Sequence, residues 1–232
     1  METWNIRDEA RREGLAATMW ELAYAPEFRS PCTIRCPADT ITLEIYAHLE
    51  RVSGTTVDDH VPVIGGGLRN VFSDPNYCTE SMEWSLLRRP PDSWAVGGSD
   101  EEPYLQAKRS FLARAQFLQS VLHQPHATKT ARRHDVALEV LHGINDILSA
   151  GLNMFGLTGD DLELKTPEGC MRLIEALPSF RVCFALRAQA HESRDFVPKI
   201  GDMEDINALS SAVAYCDIVV FEKAWGEVAG QA

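Results

Sequence analysis

Apolar residues along this chain recur mainly three and four positions apart, the period of a helix with one buried face. Residues Thr3 to Tyr24 are rich in Ala, Leu, Glu, Arg and Met and stop before Pro26, which predicts one amphipathic helix. From Pro37 to Val52, Ile41, Ile45, Leu49 and Val52 fall at helical spacing, with Pro in the first turn and Gly54 just past the end. Between Val61 and Asp100, the Gly65-Gly66-Gly67, Pro90-Pro91 and Gly97-Gly98 runs predict irregular chain with one short helix over Glu80 to Leu87. Two long helices are expected next, Glu101 to Gln124 and Ala131 to Leu152, carried by stripes such as Phe111, Ala115, Leu118 and Leu122. Thr166-Pro167-Glu168 is a helix-start signature for a segment ending at Leu177, and Pro178 opens another through Glu192.

The last segment changes the period. Asp202 and Asp205 open a short helix whose apolar face is expected to be Ile206, Leu209, Ala212 and Val213. After it, Ile218, Val219, Val220 and Phe221 form a continuous β-branched and aromatic run, too short for a helix and apolar on both faces, which predicts a central, parallel strand. Asp217 and Glu222 bracket that strand, and Glu222 would stand outside its carboxyl end, where ligands collect in parallel sheets. Two pairs of carboxylates at element ends suit a hard divalent cation, which takes oxygen ligands. The same acids also read as ordinary helix-start and surface residues.

The stretch Gly201 to Trp225, GDMEDINALSSAVAYCDIVVFEKAW, resembles the C-terminal motif of bacterial PIN-like domain proteins, matching at Asp202, Asp205, Ile206, Tyr215, Cys216, Asp217, Glu222 and Lys223. It departs from the motif at Gly201, where Asn is usual, and at Phe221, where Thr is usual. Met1-Glu2-Thr3-Trp4-Asn5 with Arg7 and Asp8 resembles the family's stretch after the first strand, and Val63 to Phe72 is similar to a Gly-rich family segment. The resemblance implies an α/β fold with a small, mostly parallel sheet and a large helical component. It implies one domain over 1–232, without the family's first strand and first acid, and with a helical insertion at about 79–155. It further implies Glu2, Asp205 and Asp217 as catalytic metal ligands, with Asp202 and Glu222 beside them, holding Mg2+ or Mn2+. Such ions would polarise a phosphate and acidify an attacking water, giving phosphodiester hydrolysis, with RNA as the substrate the resemblance implies. Crowding of carboxylates should then raise the pKa of at least one of them. An antitoxin-like protein partner is a further implication. The alternative is a catalytically deficient remnant acting as a binding or structural protein.

Composition narrows these expectations. With 232 residues, 45% of them hydrophobic, the chain can bury a substantial core. It has no apolar run long enough to span a membrane, and its acidic start, Glu2, Asp8, Glu9 and Glu13, is unlike a signal or transit peptide, so a cytoplasmic location is expected. The six cysteines are expected as buried thiols, Cys216 among them; Cys32 and Cys36 lack the second tight pair of a zinc site. A net charge of −12 opposes broad binding to a phosphate backbone, although metal-loaded carboxylates would offset part of it locally. The basic clusters, including Lys129, Arg132 and Arg133, read as solvated helix faces. GGGLRN lacks the spacing of a phosphate loop, and His123, His126 and His134, set around a Pro-containing turn, read as surface or linker residues.

Overall fold

Apolar stripes at helical spacing fold as helices in the computed structural model, which describes residues 9–24, 33–34, 37–55, 63–65, 101–123, 128–216, 219 and 225–226. In chain order these are α1 (Glu9–Tyr24), α2 (Pro37–Ser53), α3 (Glu101–Leu122), α4 (Lys129–His142), α5 (Asn145–Phe155), α6 (Pro167–Ala176), α7 (Pro178–Glu192) and α8 (Asp202–Tyr215), with short strands β1 (Thr33–Ile34) and β2 (Ile64–Gly65).

The expected α/β architecture with a mostly parallel sheet is corrected. Described residues are overwhelmingly helical, and the strand pairing among them is one antiparallel contact, Thr33 opposite Gly65 and Ile34 opposite Ile64. Physically, the apolar residues of the described helices are placed in stripes that bury one another, so among the described residues no helix covers a sheet face. Of the expected strand, Val219 is in none, and Ile218, Val220 and Phe221 lie outside the described residues, as does the expected helix Glu80 to Leu87.

The chain divides into two compact units. The first, 1–39 with 62–105, contains α1 and the β1–β2 pair. The second, 40–61 with 106–232, contains the main core. Here α7 is central: Phe180, Cys183, Phe184, Leu186, Ala188 and Ala190 are buried nearly all around it, the pattern of a helix enclosed by neighbours. It packs against α4, α6 and α8, while α3 contributes Phe111, Ala115, Leu118 and Leu122 to the same core.

The helix ends follow from local chemistry. The Thr166 hydroxyl accepts from Gly169 N–H at 3.0 Å, capping α6 as its sequence predicts. The Thr128 hydroxyl accepts from Ala131 N–H at 3.1 Å, so α4 starts earlier than its apolar pattern suggests. The single helix expected over Ala131 to Leu152 is two, because the chain breaks at Gly143 and Ile144. Gly is a poor helix interior residue, and Ile144 after it is buried in the core. α5 then lies close to α2: a Cβ on Gly151 would come within 2.7 Å of Leu49 Cδ1. On α8 the buried face is Ile206, Ser210 and Ser211, whereas Val213, expected inside, is exposed. Cys170 and Cys183 are buried as expected, but Cys216 is exposed.

Candidate functional site

Two of the five expected metal ligands fall on described residues, and both share the first turn of α8. Asp202 is half-buried, and its Oδ2 accepts the Lys199 N–H at 2.7 Å. Asp205 is exposed, and its Oδ2 accepts the indole N–H of buried Trp225 at 3.2 Å, which ties Trp225 to the helix start. Burial pushes the Asp202 carboxyl up; the hydrogen bond from Lys199 opposes this, and the nearby Asp205 charge adds to it. Burial, and not crowding of carboxylates, is the main cause of this upward push. Glu2, Asp217 and Glu222 lie outside the described residues, and among the described residues no group of three or more His, Cys, Asp or Glu is placed to hold a metal ion.

Among the described residues, polar contacts cluster on α7 instead. Arg187, only 7% exposed, forms a buried ion pair with Glu139 of α4 and lies 5.2 Å from the centroid of the Phe111 ring. Arg114 Nε reaches the other Glu139 oxygen at 3.3 Å. One turn along, the buried His191 donates from Nδ1 to Gln119 Oε1 at 2.7 Å and meets Phe196 edge-on at 5.1 Å. Gln119 Nε2 donates to the Ser193 carbonyl at 2.8 Å, and His123 Nε2 to the His191 carbonyl at 3.1 Å, so α3 ties off the last carbonyls of α7. Burial, with the charges of Arg187 and His123, pushes His191 down to about 4. At neutral pH the imidazole is therefore uncharged. His123 is half-buried and bonded, not the surface or linker residue its sequence setting suggests. Lys129 and Arg133 of α4 both reach Glu192, and Arg133 also lies 5.2 Å from the Phe184 ring centroid.

A buried carboxylate, Glu44, joins three helices. α7 starts at Leu177, which offers no capping side chain. Glu44 of α2 supplies the cap: its oxygens accept the Ser179 N–H at 2.9 and 3.1 Å, and Oε1 also accepts the Tyr215 hydroxyl at 2.7 Å. Burial and the Glu44 carboxylate push the Tyr215 phenol well up.

Of these polar residues Glu44, Arg187 and His191 are buried and Gln119 and Glu139 half-buried, and none is among the site residues expected from the sequence. A signal existed for α7: Phe180, Phe184, Arg187 and His191 follow one another at helical spacing, which puts a cation and an imidazole on the buried stripe. No comparable pattern marks Glu44 or Glu139. Elsewhere, a shallow pocket of about 190 Å3 is lined by His48 and by the ion-paired Arg172 and Glu163. No described helix is long and apolar enough to cross a membrane. Compared with protein-family models, curated proteins and solved structures, the chain matches none.

Proposed function

We propose that this chain is a helical cytoplasmic protein that acts by binding or as a structural element, and not through metal-dependent hydrolysis. The observation that carries this reading is the engagement of the two described acids: Asp202 holds Lys199 N–H and Asp205 holds the Trp225 indole. Both are therefore accounted for by what they do at the start of α8 and for Trp225. Negative charge there also complements the positive end of the helix dipole.

One observation favours a second reading, a Mg2+- or Mn2+-dependent nuclease acting on RNA, with or without an antitoxin-like partner. Asp202 and Asp205 share one turn, and the Asp205 charge adds to the rise of the Asp202 carboxyl, as closely set metal ligands would do. The two readings part in one assay. Purified full-length chain is incubated with single-stranded RNA and Mn2+, alongside Asp205→Asn. The binding or structural reading predicts no cleavage above the metal-only control. Manganese-dependent cleavage that Asp205→Asn abolishes while the far-UV spectrum is retained overturns it.

A further inference from the structure

Where α7 ends, side chains of α3 and of the residue after it hold the chain through a connected set of hydrogen bonds. Gln119 Nε2 donates to the Ser193 carbonyl at 2.8 Å, which leaves Gln119 Oε1 facing the His191 ring at 2.7 Å, and only a ring N–H can answer that oxygen. His123 Nε2 donates to the His191 carbonyl at 3.1 Å. We propose that this cluster is a proton-operated latch, in which charging His191 frees the last turn of α7 from α3 while the rest of the larger unit stays folded. The latch is independent of the function proposed above.

The surroundings of the ring make charge the trigger. His191 is 3% exposed and meets Phe196 edge-on, so an imidazolium held there loses its water. Arg187, one turn earlier, and His123 oppose the charge further. The acid of α4, Glu139, is spent on Arg187, and its bases Lys129 and Arg133 are spent on Glu192. On α6, Arg172 is paired with Glu163. From α8, Asp202 lines a small cavity together with His191 and favours the charged ring, but its Oδ2 already accepts the Lys199 N–H. A ring released into water charges at its ordinary value, so acid favours the released state.

Position makes the release local. The last carbonyls of a helix have no donor within it, so α7 ends on donors from elsewhere: His123 for the His191 carbonyl, Gln119 and the Phe196 N–H for that of Ser193. Upstream, Phe180, Cys183, Phe184 and Leu186 sit in the core, and the Arg187–Glu139 pair holds α7 to α4 without His191.

The test is amide hydrogen exchange by NMR on the full chain at pH 7 and pH 5, corrected for intrinsic rates, with and without low urea. With the ring at about 4 when latched and about 6.5 when released, the released population should grow roughly twentyfold between those conditions. The His191 and Ser193 amides should accelerate by that factor without dependence on urea. Ile174, buried on α6, should exchange more slowly and with the urea dependence of global unfolding. His191→Asn, whose side-chain N–H replaces Nδ1–H without titrating, should abolish the acceleration. Matching rates and urea dependence at all three amides overturn the latch, as do an absent acceleration and one that survives in His191→Asn. Should that variant fail to fold, the ring nitrogen signals of the wild type decide. The latch predicts a neutral ring with its proton on Nδ1 at pH 7, and a ring charged at pH 5 without faster exchange overturns it.

Discussion

Single buried polar residues decide how the helices of the larger unit meet. Glu44 is the clearest case, because one carboxylate caps α7, receives the Tyr215 hydroxyl and sits on the buried stripe of α2 between Thr40 and Ile45. Removing it leaves the α7 start uncapped and a half-buried phenol without its acceptor. Glu44→Ala should therefore lose about 2–4 kcal/mol in denaturant unfolding, the sum of a lost cap and a stranded hydroxyl. Glu44→Gln, which keeps an acceptor oxygen, should recover much of that loss. Equal losses in the two variants would show that the hydrogen bonds carry no weight there. Little of this was legible in the sequence. A Glu at position 44 sits between Leu43 and Ile45 in a stretch that reads simply as helix, and its partners lie 135 and 171 residues away. Long-range capping leaves no local pattern, whereas the Thr166 cap, three residues from its donor, was plain in Thr166-Pro167-Glu168.

Helices were the legible level. Spacing placed α2, α3, α6, α7 and α8 close to where they are, because each carries a continuous apolar stripe or a strong start signal. The break between α4 and α5 was missed, since Val140, Ile144 and Ile147 keep helical spacing across Gly143 and only the glycine marks the interruption. The strand expected over Ile218 to Phe221 came from a four-residue apolar run, a length at which periodicity cannot separate strand from other buried chain. Glycines test the packing of these elements. Gly169 lies in the first turn of α6, where Ala would ordinarily stabilise the helix by roughly 0.5–1 kcal/mol. A Cβ there would collide with the backbone carbonyl of Glu163, so Gly169→Ala should lower the denaturant midpoint. Gly156, at φ +66° after α5, should lose about 1–2 kcal/mol on change to Ala, from left-handed strain alone. A midpoint raised by Gly169→Ala would show that the turn before α6 does not approach the helix as described.

At the scale of the whole molecule, pH is the most informative variable. His191 titrates near 4 when folded and near its ordinary 6.5 when unfolded, so the unfolded chain binds more protons between those values. Stability should therefore fall as pH is lowered from about 6.5 to about 4, by up to roughly 3 kcal/mol from this residue. The Asp202 carboxyl, pushed up, acts in the opposite sense, because its ionisation above its unfolded pKa is disfavoured in the fold. Thermal unfolding across pH 4 to 7 should show the fall, and His191→Gln should flatten it; an unchanged slope in that variant would place the dependence elsewhere. The net charge of −12 fits the same picture, since it disfavours extended phosphate backbones as partners and asks any such contact to rest on a local site.

Under the proposed reading the acids opening α8 serve the fold and not a cation, and thermal unfolding of the full chain with and without Mn2+ separates the two roles. Asp205→Ala should lower Tm by a few degrees, the effect of about 1 kcal/mol from the lost indole hydrogen bond and helix-start charge, by the same amount with or without metal. Manganese should leave the wild-type Tm unmoved. A metal-dependent rise in wild-type Tm that disappears in Asp205→Ala would contradict the account, because a ligand that binds the folded state stabilises it in proportion to its occupancy.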